Sequence, residues 1–243
     1  MSLFSSFEQG DIWASNGFAF ASPINDMLEK EHFTLTELLD EDEVLQEVKS
    51  LNPKLITFLA TPESVRQMVQ FMTVPAAFDD DDRRKLKYPY MSCEVLCCEV
   101  PSILATLADT GAPTNLSGSI LTELFAMLEA DGPVDVRLAG YLEKVVAVLL
   151  KHKCLALVSH INAGGFSLFK RFAAHLDDFS ITQIVRRLLL PKLASLQEID
   201  ALAWQQAVDA AEGLAGEAEA AAALAWVGWG TDERVLLELV GTF

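Results

Sequence analysis

Apolar residues recur every three or four positions along most of this chain, and that spacing restricts the folds it can adopt. In residues 35–48, which we predict to form one helix, the apolar positions share a face and acidic residues occupy the opposite face. The same spacing returns in residues 136–150, 155–161 and 181–190. Because no segment shows the strict alternation typical of a strand, the pattern predicts an all-α protein.

Strong helix-start signals divide this pattern into short helices. Thr34 and Glu37 have the spacing of a capping box, in which each side chain bonds the other residue's backbone amide. Asn52-Pro53 and Thr61-Pro62 each place a capping residue before a proline at the first helical position. We therefore predict helices at residues 53–59 and 62–72.

About ten to twelve such helices with short links predict a right-handed α-solenoid of stacked antiparallel helix pairs, similar to HEAT and armadillo arrays. A compact all-α bundle is the alternative. Residues 1–23 read as an irregular lead-in, and residues 24–243 as a single α-helical repeat domain. Within that domain, residues 191–243 are alanine-rich and divergent.

The charge of the chain restricts its partners. Asp and Glu outnumber Lys and Arg by 35 to 18, which gives a formal net charge of −17. Such a surface repels a nucleic-acid backbone and an anionic membrane, and favours a basic protein partner. No secretory signal and no bilayer-length apolar stretch is apparent. We expect a cytoplasmic protein with free thiols, with the nucleus as a second location.

The sequence offers no clear catalytic or metal-binding pattern. Cys93 and Cys97 are four positions apart and share a helical face, but only the distant Cys154, His152 or His160 could complete a zinc site. Buried thiols are the simpler interpretation. The motifs of serine hydrolases, P-loop NTPases and zinc proteases are absent. We predict no catalytic residue, no cofactor and no metal.

Two charged segments are the candidate contact surface for a partner. The candidate residues are Asp40, Glu41, Asp42, Arg83, Arg84, Lys85, Lys87, Tyr88 and Tyr90. The acidic runs 40–43 and 79–82 lack the ligand spacing of a calcium loop, so a solvated acidic face is the alternative. The change of sign after residue 82 indicates a loop that either pairs with itself or contacts a partner. The two tyrosines either lie in an interface or pack at the start of the next helix.

Several blocks of the sequence resemble one protein family. Residues 33–58, FTLTELLDEDEVLQEVKSLNPKLITF, and residues 85–103, KLKYPYMSCEVLCCEVPSI, are the most specific. Residues 138–150, 166–190 and 229–240 are similar to further blocks. Together they resemble the SAPS-domain family, the regulatory subunits of protein phosphatase 6 and its yeast relative.

The resemblance implies a non-catalytic subunit that binds a Ser/Thr phosphatase catalytic subunit and modulates its activity or targeting. It also implies an ankyrin-repeat subunit as a further partner. Because family members are much longer, the alternative is a general helical-repeat adaptor that has lost phosphatase binding through truncation. An all-α enzyme is a third hypothesis, and it would require a cluster of polar residues that the sequence does not show.

Overall fold

A computed structural model describes residues 23–30, 32–109, 118–130, 132–164 and 167–189, together with residues 229, 233 and 235. Within these residues it contains twelve α-helices and no strand, which confirms the all-α prediction and the expected number of helices. The helices are α1 (Pro23–Leu28), α2 (Leu35–Asp40), α3 (Val44–Lys49), α4 (Pro53–Leu59), α5 (Pro62–Thr73), α6 (Tyr88–Leu96), α7 (Pro101–Leu107), α8 (Ile120–Leu124), α9 (Val136–His152), α10 (Cys154–Ala163), α11 (Ser167–Ala173) and α12 (Phe179–Leu189). A π-helical turn (Arg83–Lys87) leads into α6, and a 3₁₀ turn (Ala126–Glu129) follows α8.

The predicted caps start three of these helices. The Thr34 hydroxyl accepts a bond from the Glu37 amide at 3.2 Å, and the Thr34 amide donates to the Glu37 carboxylate at 2.8 Å. Asn52 and Thr61 accept bonds from the third residue of α4 and α5, and a proline follows each cap. These bonds satisfy amides that would otherwise lack partners at a helix start, so the three predictions are confirmed.

The single helix predicted across residues 35–48 is wrong, because the chain breaks at Glu41. Glu41 is extended (φ −75°, ψ 131°), so α2 ends at Asp40 and α3 begins at Val44. The break turns Val44 into the core and leaves Leu45 only partly buried. Its cause is not local periodicity, since Asp40 is held at this point by side chains more than forty residues away.

A second break ends α6 earlier than the sequence pattern indicates. The apolar spacing of Cys93, Leu96 and Val100 predicts a helix that runs to Val100, but α6 ends at Leu96 and Glu99 adopts a left-handed φ of 59°. This conformation is uncommon for a residue with a side chain. Here the Glu99 carboxylate accepts bonds from Lys151 at 2.8 and 2.9 Å and lies 2.9 Å from His152. The left-handed turn at Glu99 therefore places its carboxylate in contact with the end of α9.

Helices α5 and α9 lie at the centre of the packing. Helix α5 packs against α6, α7 and α8, and α9 packs against α6, α10 and α12. Both bury an apolar stripe, which on α9 includes Leu142, Val145, Val146 and Leu149. Most of these neighbours are close in sequence, as in helical repeats. The right-handed solenoid arrangement stays a prediction.

The predicted domain limits fall mostly outside the described residues. Of the lead-in, only Pro23 is described, where α1 begins. Of the alanine-rich segment, Trp229, Glu233 and Val235 are described. The Trp229 indole is buried, lies 5.4 Å from the Phe169 ring and donates to the Asn162 side chain at 3.1 Å. This contact joins residue 229 to α10 and α11.

No single helix among the described residues has both the length and the hydropathy needed to cross a bilayer. Two bent pairs, α9 with α10 and the segment Arg83–Leu96 with α7, satisfy that test by length and composition alone.

Candidate partner-contact surface

The structure brings the two predicted charged segments together. Asp40 and Glu41 lie at the end of α2, and the π-helical turn places Arg83 and Lys87 opposite them. Tyr88 begins α6 and faces the same carboxylate. Residues more than forty positions apart in sequence thus form one surface.

Asp40 is the centre of this arrangement. Its Oδ2 accepts a bond from Arg83 Nη1 at 2.5 Å and one from the Tyr88 hydroxyl at 3.3 Å. Its main-chain carbonyl accepts a bond from Lys87 Nζ at 2.7 Å. We call Asp40, Arg83, Lys87 and Tyr88 the Asp40 clasp. Because these bonds cross from α2 to the π-helical turn and to the first residue of α6, the clasp fixes one segment against the other.

Charge and burial act on the clasp in different ways. The Asp40 carboxylate raises the pKa of the Arg83 guanidinium, so the guanidinium stays charged. Burial, and then the charge of Asp40, raises the pKa of the Tyr88 hydroxyl, which therefore stays protonated and able to donate. Asp40 Oδ1 is buried and accepts no hydrogen bond from the described residues, although Lys87 Nζ lies 3.9 Å away.

The remaining two basic candidates bind main-chain carbonyls. Arg84 donates to Val74 O at 2.7 Å and to Phe71 O at 3.4 Å, and its guanidinium lies 5.1 Å from the centre of the Phe71 ring. Lys85 donates to Phe78 O at 2.7 Å. Both side chains therefore hold the segment that follows α5.

The candidate residues differ in how much of each side chain is exposed to a partner. Tyr88 is buried and packs 5.3 Å from the Phe71 ring, as the alternative interpretation of the tyrosines requires. Tyr90 is 45% exposed, the Asp42 side chain is fully exposed, and Glu41 is partly exposed. Contact of any of these residues with a partner stays a prediction.

An exposed apolar group that was not predicted from the sequence lies beside this surface. Val74, Phe78 and Leu86 are 52%, 100% and 54% exposed. All three line a cavity of about 300 Å³ that Arg84 and Arg137 also border. Phe78 lies beyond the helix predicted at residues 62–72 and next to four aspartates. An aromatic residue at such a place is the signal that would have found it.

The four cysteines lie in the apolar core or pack against it. Cys93 and Cys154 are buried and Cys97 and Cys98 partly buried, all four as free thiols, so the interpretation of Cys93 as a buried thiol is confirmed. The bond with Cys97, followed by burial, raises the pKa of Cys93, which keeps that thiol protonated. No three His, Cys, Asp or Glu side chains converge as metal ligands within the described part of the chain.

Comparison with known proteins shows that the chain is similar to regulatory subunits of protein phosphatase 6. It is 33% identical over 169 residues to serine/threonine-protein phosphatase 6 regulatory subunit 1 of Homo sapiens, covering 70% of this chain and 18% of the relative. Regulatory subunit 3-A of Xenopus laevis is 32% identical over 169 residues, with 70% and 19% covered. Regulatory subunit 3 of Gallus gallus is 36% identical over 133 residues, with 55% and 14% covered.

The chain spans less than a fifth of the length of these relatives. No family model matches it, and no solved structure matches it significantly. The alignments nevertheless agree on one kind of protein, the one that the blocks at residues 33–58 and 85–103 resemble. They confirm the predicted resemblance: over 70% of its length, the chain is similar to the regulatory subunits of protein phosphatase 6, the proteins of the SAPS-domain family.

Proposed function

We propose that this chain is a non-catalytic regulatory subunit that binds the catalytic subunit of a type 6 Ser/Thr protein phosphatase and modulates its activity or targeting. The observation that carries the proposal is the 33% identity to a phosphatase 6 regulatory subunit over 70% of the chain. A match of 169 residues is long enough to span many consecutive helices.

The ion pairs of the chain support a scaffold role. Lys144 of α9 bonds Glu94 of α6 at 3.0 Å, and Arg66 of α5 bonds Glu123 of α8 at 2.7 Å. Each pair joins two helices that also share the apolar core. A surface whose helices are joined in this way loses less conformational entropy when a partner binds.

Binding to a purified catalytic subunit tests the proposal. We expect a stable complex on size-exclusion chromatography and a changed rate or selectivity of phosphatase activity when the full chain is added. The chain alone should release no phosphate from a phosphopeptide. A catalytic subunit of another phosphatase type is the matched control for selectivity. Absence of any complex, or turnover by the chain alone, would contradict the proposal.

Affinity purification from the source cells tests the wider assembly. We expect a type 6 catalytic subunit among the specific partners, and we propose an ankyrin-repeat subunit as a third component. We also propose a cytoplasmic location with a nuclear fraction, which cell fractionation measures. Specific partners without any phosphatase would favour the general adaptor instead.

A further inference from the structure

The segment after α5 displays an aromatic side chain to solvent. Phe78 is 100% exposed, whereas the described residues that flank it in space, Val74 and Leu86, are about half exposed. A single exposed apolar residue is ordinary on a protein surface. Three of them around one cavity of about 300 Å³ form a patch, and contiguous exposed patches are typical of interaction sites.

Hydrogen bonds fix the backbone that carries Phe78. The Ala77 amide donates to Asp80 Oδ2 at 2.7 Å, and the Asp80 amide donates back to the Ala77 carbonyl at 3.2 Å. Lys85 Nζ then donates to the carbonyl of Phe78 itself at 2.7 Å. The segment is ordered before any partner arrives, so binding through Phe78 loses less conformational entropy than binding through a free loop.

The charges next to Phe78 are not neutralised by the adjacent cations. Among the described residues, none of the aspartates in residues 79–82 forms a salt bridge with a lysine or arginine. Arg83 instead binds Asp40, Arg84 binds the carbonyls of Phe71 and Val74, and Lys85 binds that of Phe78. The segment thus pairs with itself through main-chain groups rather than through ion pairs, since Lys85 Nζ donates to Phe78 O and the Arg84 amide donates to Asp81 Oδ1 at 2.8 Å. The exposed Phe78 ring, whose centre lies 5.9 Å from Lys85 Nζ, stands beside four aspartates.

We infer that Phe78 is an anchor that enters an apolar pocket with a basic rim on the phosphatase catalytic subunit. Buried aromatic anchors at the centre of an interface contribute most of the binding free energy, and complementary charges around them set the orientation. Residues 79–82 supply those charges. This inference rests on the proposed function, because it takes the catalytic subunit as the occupant.

The net charge of the chain is consistent with a partner whose contact surface is basic. With a net charge of −17, the chain attracts a basic protein surface at long range, and it repels nucleic acid. The acidic segment 79–82 lies where the apolar patch is most exposed, so the attraction and the apolar contact act at the same place.

Affinity measurements with the full chain and the purified catalytic subunit test the inference. Phe78→Ala should weaken binding about tenfold or more, with an unchanged melting temperature. Phe179→Ala is the matched control, because Phe179 is 76% exposed at the start of α12 and lies outside the patch; we expect affinity as in the wild type. A double variant, Asp79→Asn with Asp82→Asn, should slow association at low salt, and the difference should shrink as salt rises.

The outcomes separate the two proposals. If the wild type forms no complex, the proposed function fails and this inference fails with it. If the wild type binds and Phe78→Ala binds equally well, or no worse than Phe179→Ala, only the anchor is refuted. A lower melting temperature for Phe78→Ala would show that Phe78 packs within its own chain, and would also refute it. Unchanged association of the aspartate double variant would overturn the basic rim.

Discussion

Replacing Arg84 tests whether side chains hold the segment after α5 in place. Its guanidinium donates to Val74 O at 2.7 Å and to Phe71 O at 3.4 Å, just beyond and within the last turn of α5. It also lies 5.1 Å from the centre of the Phe71 ring. The side chain thus combines two bonds to helix-end carbonyls with one contact to an aromatic face.

The contacts set the expected size of the effect. A hydrogen bond from a charged donor contributes about 1.5–3 kcal/mol, and a partly exposed cation–π contact about 0.5–1 kcal/mol. Arg84 is half-buried and the 3.4 Å bond is long, so we take the lower end of these ranges. Arg84→Met should then lower the free energy of unfolding by about 2 kcal/mol, or the melting temperature by about 4–8 °C for a chain of this size.

Two further variants separate the causes. Arg84→Lys keeps the positive charge near the helix end but loses the planar fork, so we expect about half of the effect of Arg84→Met. Arg186→Met removes an exposed arginine of α12 and should change the free energy of unfolding by less than about 0.5 kcal/mol.

Urea denaturation followed by circular dichroism measures all three variants. Equal stability of Arg84→Met and Arg186→Met would refute the reasoning. Wild-type stability of Arg84→Lys would show that only the charge matters.

Three other perturbations follow from the same contacts. Asp40→Ala removes the acceptor of the buried Tyr88 hydroxyl and should lower the free energy of unfolding by about 1–2 kcal/mol, while Asp42→Ala, at a fully exposed side chain, should change it by less than about 0.5 kcal/mol in the same urea assay. Burial lowers the pKa of His160 below 6.5, so the folded state resists protonation: its contribution to stability is present above pH 6.5 and is lost as the pH falls toward that lowered pKa. Thermal melts between pH 7.5 and 5 should show this slope in the wild type and a smaller slope in His160→Leu, and equal slopes would contradict it. Trp229→Ala empties a buried site and should cost about 3–5 kcal/mol in urea denaturation; a loss below about 1 kcal/mol would show that the contact with α11 is not stabilising.

Local chemistry made the helices and their starts predictable. The bonds of Thr34 with Glu37, and of Asn52 with Leu55, join residues three positions apart, so the sequence alone contains both partners. The apolar spacing likewise selects the buried face of each helix without knowledge of its neighbour. The all-α class and the family resemblance needed nothing more.

Tertiary structure decided where helices break and what the charged segments do. Asp40 ends α2 in contact with Arg83 and Tyr88, and Glu99 turns left-handed in contact with Lys151. These partners are more than forty positions apart, and periodicity carries no information about such pairings. The sequence places aspartates directly beside arginines in the segment after α5, but the folded chain offers those arginines a distant carboxylate and helix-end carbonyls at close range. The strength of a charge interaction depends on distance and burial in three dimensions, which order along the chain does not specify.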